Sequence, residues 1–437
     1  MKQIFRRPLC AGGLRARRFF ARPINTCCIA LALFSSVTVA ADFAEPRGDL
    51  TLSAAISAAL LRNPALHSAS FNVRIADAQI AQAQRRLAPE VGISLENFGG
   101  ALGNDVLEST LSLSQVIELG DKRNRRIDTA RGSRDSSVIE REAKQLDVLA
   151  EVTRRFIDVA AQQEQLLLIR RSTELTATTL KAITQRVAAA RSPEAEKNRA
   201  TIALGRAQLD EEHARHILLS AHRRLAALWG STEPNFGDAQ ANLFALPAVD
   251  TFEKLTAKLK ANPDFLHFAS EARLRDAEWQ LAQAEAKSNI TVGAGLRHFE
   301  ETGATGFVVN MSMPLNFGNR NRDAIGAAAL RREQVAVDEQ NAFMTTQATL
   351  FEFYQTLQQA RSEVSVLREQ LIPQAEAALT QTRYGYERGR FSYLELADAQ
   401  RELIALQRNA IESAATYHRT RAEIERLTNS SLTASQD

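Results

Sequence analysis

Glu395 and Asp398 stand three apart in a stretch with helical periodicity, so both project from one face of a helix. On one chain they form an exposed acidic helix face. Three chains would bring six carboxylates around one axis, and an acidic ring in a narrow pore attracts cations and repels anions. His213 and His216 are also three apart, with His222 further on, yet no carboxylate-histidine constellation with zinc spacing completes them. No metal site is expected. Gly293-Ala-Gly295-Leu-Arg-His298 approaches a nucleotide loop, but it lacks the third glycine and the following helix start and reads as a strand. No nucleophile-base pair or local catalytic signature occurs, so neither an enzyme nor a cofactor is expected.

The elements that must position these residues come as a repeat with a spacing of about 199. Asn63-Pro64 and Asn262-Pro263 open matching runs, Asp77 falls on Asp276, Val91 and Ile93 fall on Ile290 and Val292, and Gly120 falls on Gly318 after a one-residue slip. The unit is helix, strand, strand, long helix, helix. It is used twice, over 42–230 and 251–428, with an irregular, exposed linker expected at 231–250 and a polar tail at 429–437. A chain of 437 residues would ordinarily split into globular domains. Long stretches rich in Ala, Leu, Gln, Arg and Glu argue instead for extended helices.

Two such helices are expected, from about Lys122 to Arg186 and from about Asn321 to Arg383, each roughly 95 Å long at ~1.5 Å per residue. Phe343, Leu350, Phe353, Leu357, Ala360, Val364, Leu367 and Leu371 trace a coiled-coil seam. Its expected partner is the last helix, through Leu396, Leu403, Leu406, Ala410, Ser413, Tyr417, Ile424 and Leu427. Pro373 should kink the second long helix without breaking it. The helices turn at Ala188 to Pro193 and at Gly385 to Ser392, the second turn reading as about three residues longer. Ser192 then Pro193 reads as N-cap then N1, and Gly389 as a helix stop before Ser392 starts the next helix.

Four segments alternate with period two, at about 90–98, 108–118, 289–299 and 306–316. Each has the length of a tilted membrane-spanning strand, with an apolar face and a small or polar face suited to a wet lumen. Their loops are Gly99 to Asp105 and Glu300 to Gly306. Four strands cannot close a barrel, whereas three chains would supply twelve. After residue 41 no apolar run reaches the ~18 to 20 residues of a spanning helix, so entry into a membrane requires a closed barrel.

Residues 1–41 read as a secretory signal: a basic stretch to Arg22, an apolar run from Cys28 to Val39, and small residues at Thr38, Ala40 and Ala41. Its seven positive charges and no negative ones take the net charge of +3 to −4 in the mature chain, so nucleic acid is not an implied partner. Cys10, Cys27 and Cys28 all lie within it, which leaves no disulfide or thiolate site. The cysteines precede the apolar run, where a lipoprotein cysteine would follow it.

Three stretches, in this order within a repeat, carry a resemblance. They are Leu-Thr-Leu-Ser-Ala-Ala-Ile at 50–56 with Asn63-Pro64 behind it, Ser114 to Arg123, and Tyr384 to Arg401. The chain resembles the TolC-like outer-membrane efflux family from Leu50 to Thr428. The resemblance implies a mainly α fold with a transmembrane β part: a homotrimer with a twelve-stranded barrel in outer-membrane lipid and a periplasmic tunnel of coiled-coil helices. It also implies docking to a periplasmic adaptor and an inner-membrane RND pump. Ile117 to Arg123, and Pro314-Leu315 followed by Asn319 to Arg322, are similar to the branch paired with cobalt-zinc-cadmium type pumps, although Val116 and Asp121 replace a proline and a glycine common there.

On that resemblance Glu395 and Asp398 match the acidic ring of the periplasmic gate, and Tyr386 matches a tyrosine that ties neighbouring helices there, with Glu194 as its acidic partner. The family's arginine falls on Phe391, which leaves Arg388 or Arg390 to substitute. Arg191, Ser192, Gly389, Arg390 and Ser392 are the expected adaptor contacts at the tips, with plain helix capping as the other reading of the same residues. A duct for drugs or a secreted polypeptide, and a soluble periplasmic coiled-coil scaffold, are the alternatives.

Overall fold

In the computed structural model, residues 45–97, 107–315 and 321–429 are described; the expected signal, the loop Gly99 to Asp105 and the tail after Asn429 lie outside them. The chain begins with β1 (Gly48–Leu50), α1 (Leu52–Arg62) and α2 (Pro64–Ala83). Next come β2 (Glu90–Glu96), β3 (Glu108–Ile117), α3 (Lys122–Ala188) and α4 (Glu194–Ala226). A 3-10 turn and β4 (Phe236–Ala239) lead to α5 (Phe252–Leu259), α6 (Pro263–Glu285), β5 (Ile290–Phe299) and β6 (Ala304–Ser312). The chain closes with α7 (Arg322–Val366), α8 (Ile372–Glu387) and α9 (Tyr393–Thr428).

The repeat is written into the caps. Asn63 accepts from the N–H groups of Ala65 and Leu66, and its amide donates to Leu228 O at 2.8 Å. Asn262, 199 residues on, accepts from Asp264 N–H at 2.9 Å and donates to Leu427 O at 3.0 Å, where Leu427 is again 199 beyond Leu228. In each repeat one asparagine therefore starts a short helix and satisfies a carbonyl near the end of the repeat's last helix. Asp77 meets Arg134 at 3.2 Å, and Asp276 meets Arg332 at 3.3 Å, the same ion pair at an arginine spacing of 198.

With 67 residues, α3 spans about 100 Å. Its surface carries pairs such as Arg155 with Glu151 at 2.7 Å, while Phe156, Val152, Val159 and Ile183 are buried along the contacts with neighbouring helices. On the expected seam Leu350, Leu357 and Ala360 share one buried cluster with Tyr417 and Ile424 of α9, and Val364, Leu367, Leu403 and Ala410 are buried as well. Each fully buried leucine contributes roughly 1.5–3 kcal/mol. Leu371 departs from the seam and is exposed. The cause is a π turn at Leu367–Leu371 that joins α7 to α8, in which Ile372 N–H donates to Leu367 O, five residues back. The wide turn relieves the carbonyl that Pro373 would otherwise strike, so the helix continues through the proline.

The linker expected to be irregular at 231–250 carries β4, which pairs in parallel with β1, and buries Phe236 and Leu243. The sheet order is β2-β3-β5-β6, antiparallel throughout, with Leu111 opposite both Ile93 and Leu296, and Leu296 opposite Phe307. β6 starts at Ala304, so Gly306 lies in the strand opposite Arg297 and the loop closes at Gly303. Ile93, Leu111, Leu113, Phe307, Val309 and Met311 leave one face of the sheet apolar and exposed. On the other, Arg297 bonds Glu108 at 2.9 Å and Thr110 at 3.0 Å. Among the described residues no helix is long and apolar enough to cross a membrane.

Candidate functional site at the helical tips

The turn between α3 and α4 and the turn between α8 and α9 are built alike. In the first, Ala190 takes the left-handed conformation at φ +55°, Ala190 N–H donates to Val187 O at 2.9 Å and Arg191 N–H to Arg186 O at 2.8 Å. In the second, Gly389 sits at φ +74°, its N–H donates to Tyr386 O at 2.9 Å and Arg390 N–H to Gly385 O at 2.8 Å. Every partner lies 199 residues from its counterpart, and both turns hold five residues between helices. The second turn is therefore not the longer one; the apparent difference came from Gly385 and its neighbours, which are still helical. Gly385 is required for another reason, since a Cβ there would lie 2.1 Å from Cδ2 of Phe391.

The tips are joined by a buried cluster of Ile183, Ala200, Leu379, Tyr386, Tyr393, Leu396 and Leu403. Within it the Tyr386 hydroxyl donates to Glu196 Oε2 at 3.3 Å. Glu194, expected as that partner, instead pairs with Lys197 at 2.7 Å. Burial pushes the Tyr386 phenol above its ordinary value, and the Glu196 charge adds to the shift while the Ser192 hydroxyl opposes it. Burial likewise raises Tyr393.

The arginine of this network is neither Arg388 nor Arg390. Arg388 lies over the Tyr384 ring at 3.9 Å, and the exposed Arg390 contributes its backbone N–H. Arg186 is the arginine that contacts Tyr386 within the chain. Its guanidinium lies 4.8 Å from the Tyr386 ring centroid and donates to Tyr386 O at 3.1 Å, Glu387 O at 2.9 Å and Ser192 Oγ at 3.2 Å. It thereby caps the C-terminal carbonyls of α8 from the neighbouring tip.

Ser392 is the N-cap of α9. Its N–H donates to Glu395 Oε2 at 2.7 Å and its hydroxyl accepts from Glu395 N–H at 3.4 Å, a complete capping box. These bonds from Ser392 hold the exposed Glu395 carboxyl below its usual range. In the first tip the corresponding N-cap is Pro193, not Ser192, and it makes no side-chain cap bond. Pro193 has no N–H to offer Glu196, which is the residue equivalent to Glu395 and turns to Tyr386 instead. Asp398 is exposed and pairs with Arg401. Arg191 and Ser192 lie at the exposed end of the first tip, as Gly389 and Ser392 do at the second.

The histidines do not converge. His213 and His216 are exposed on α4, His216 lies 3.8 Å from Glu212, and His222 packs against Phe236 with its pKa pushed down by burial. Among the described residues no group of three His, Cys, Asp or Glu side chains is placed to hold a metal.

A family model described as outer membrane efflux protein matches residues 55–231 and 256–430. The cobalt-zinc-cadmium resistance protein CzcC of Cupriavidus metallidurans is similar at 30% identity over 361 residues, spanning 82% of this chain and 85% of that protein. The nickel-cobalt-cadmium resistance protein NccC of Alcaligenes xylosoxydans xylosoxydans is 27% identical over 314 residues, 69% of this chain and 68% of that one. In fold, a crystal structure of CusC superposes with a TM-score of 0.72 at 17% identity, covering 89% of this chain and 95% of that chain.

Proposed function

Because the chain belongs to the outer membrane efflux protein family, in which both of its repeats are matched, we propose that it is the passive exit duct of a tripartite system for divalent heavy-metal cations. Its place is the outer membrane, with the helical part in the periplasm. The observation that carries the reading is the four-stranded sheet, apolar and exposed on one face, standing at the root of helices about 100 Å long that end in paired tips. In this reading three copies close a twelve-stranded barrel, and the tips meet a periplasmic adaptor that connects to an inner-membrane RND pump.

The Tyr386–Glu196 bond, the Arg186 cap and the acidic Glu395 and Asp398 sit where such a duct narrows, and the carboxylates favour cations there. Arg191, Ser192, Gly389 and Ser392 form the docking ends. The cargo follows from the metals in the names of CzcC and NccC. Deleting the gene in its host should lower resistance to zinc, cobalt or cadmium, with restoration by the intact chain. Unchanged metal resistance together with new drug sensitivity would move the cargo to drugs. Recovery of the chain as a detergent-free soluble monomer would remove the duct altogether.

A further inference from the structure

A cavity of about 980 Å³ lies away from the tips, lined by α1, α3, α9 and the segment 240–247 that joins the two repeats. Its volume is that of a small-molecule site, roughly 300–1,000 Å³. On α9 it begins at His418, 25 residues beyond Tyr393 (418 − 393), which puts it about 38 Å along the helix from the tip. The segment over it has no helix or strand, yet it is pinned along its length. Gln240 N–H donates to Leu50 O at 2.8 Å, His418 Nε2 donates to Leu243 O at 3.0 Å, and the Tyr417 hydroxyl donates to Pro247 O. The segment is therefore a fixed wall.

The lining is divided by chemistry. Ile56, Phe156, Ile157, Leu246 and Pro247 give it apolar surface, and Asn242, His418, Arg421 and Glu425 give it polar groups. Arg421 Nε donates to Glu425 Oε1 at 2.8 Å, with the two side chains 17% and 15% exposed, and their charges offset each other. Burial pushes His418 below its ordinary value, so the ring is neutral. Because the Leu243 carbonyl only accepts, Nε2 holds the proton and Nδ1 is an acceptor. Asn242 Oδ1 accepts from Phe244 N–H at 3.2 Å, which leaves the amide N–H groups as donors. Among the described lining residues no other side chain is charged. A charged ligand would lose its hydration here without gaining a countercharge; an uncharged one would not.

The hollow belongs to one repeat. Helices α1 and α5 both follow a threonine N-cap, so Leu52 corresponds to Phe252; at the spacing of 198, Thr153 corresponds to Phe351 and Phe156 to Tyr354. In the second repeat these side chains meet as rings, Phe252 lying 5.2 Å from Phe351 and 6.0 Å from Tyr354. In the first repeat leucine and threonine stand at two of the three places, and all three residues line the open space.

We propose that this cavity is a binding site for an uncharged small molecule with an apolar body and one hydrogen-bonding group, held by walls from both repeats. The body lies against Ile56, Phe156 and Leu246, and the polar group meets Asn242 and His418. The site goes beyond the duct reading and does not rest on it, since every wall belongs to one chain.

Benzophenone tests the site, because it is uncharged, has two rings and one carbonyl acceptor, and attaches to nearby C–H groups under near-ultraviolet light. With the full chain purified in detergent, peptide mass spectrometry should find label on 240–247 and near His418 that saturates with benzophenone concentration. Thr153→Phe, which copies the ring of the second repeat, and Ala245→Phe, on the irregular wall, each narrow the cavity. Either should lower that label by about tenfold, with the melting temperature of the unliganded chain confirming the fold. If one variant does not fold, the other decides. The carboxylate 4-benzoylbenzoate, which keeps the body and adds a charge, should label about tenfold less than benzophenone. Label that never saturates, or that is undiminished in a folded variant, overturns the site. Equal labelling by the carboxylate overturns the uncharged class.

Discussion

The Tyr386 hydroxyl bonds Glu196 at 3.3 Å, and this contact joins the last turn of α8 to the first turn of α4. The glutamate is available because its N-cap is a proline. Pro193→Ser would restore an N–H and a hydroxyl at that N-cap, and Glu196 would close a capping box as Glu395 does with Ser392. The gate reading then expects a severalfold rise in single-channel conductance in planar bilayers, matched by Tyr386→Phe. Conductance equal to the parent in both variants would count against a gating role for the pair.

Arg186 binds two carbonyls of α8 and stacks on Tyr386. Arg186→Lys retains the charge but loses the planar fork that reaches both carbonyls and Ser192 together. Its conductance should fall between that of the parent and that of Arg186→Ala. If the lysine variant behaves like the parent, charge alone is what matters at this place.

Ala190 holds a left-handed conformation at φ +55°, where its counterpart is Gly389. Ala190→Gly should stabilise the chain by about 1 kcal/mol through the removal of that strain, and Gly389→Ala should cost a similar amount. Denaturant unfolding of the protein in detergent reads both; opposite signs are expected, and equal signs would contradict the matched geometry of the tips.

Gly385 touches the Phe391 ring. Gly385→Ala should be destabilising by roughly 1–3 kcal/mol from overpacking, yet in a Phe391→Ala background the same change should be neutral or stabilising, since alanine is the better helix former. A cost that persists without the ring would place the cause elsewhere.

The pH dependence of the second tip follows from Glu395, whose folded pKa lies below its unfolded one. Its stabilisation is therefore present above the ordinary carboxylate range and is lost as pH falls through the folded value. The difference in melting temperature between the parent and Glu395→Gln should be largest at neutral pH and shrink as pH falls below the ordinary carboxylate range. Comparing variants at each pH is essential, because Asp158 and Glu425 carry pKa values raised by burial and act with the opposite sign. A difference that stays constant across the range would show that the carboxylate charge does not hold the cap.

The strands, the long helices and the tips were legible because each leaves a local pattern: alternation, heptad spacing, a glycine or proline stop. Glu196 was missed by one step of register. Reading Ser192 as the N-cap puts Ala195 at the third helical position, whereas Pro193 as N-cap puts Glu196 there. Arg186 carries no local mark, since its partners lie 200 and 201 residues away, although its spacing of 199 from Gly385 places it at the matching carbonyl of the other tip. β4 escaped because four residues are too few to alternate visibly and its partner β1 is distant in the chain.

The π turn at Leu367–Leu371 has a consequence for how the two tips come level. The repeat spacing is 198 at Arg134 and Arg332 but 199 at Arg186 and Gly385, so the second repeat has one more residue over this length. An α-helix that carried this residue regularly would be rotated by about 100° and advanced by about 1.5 Å at its end. The wide turn takes up the surplus within its own circumference. It works as a phase corrector: it returns Tyr386 to the azimuth at which Glu196 can be reached, some fifteen residues below the place where the mismatch is absorbed.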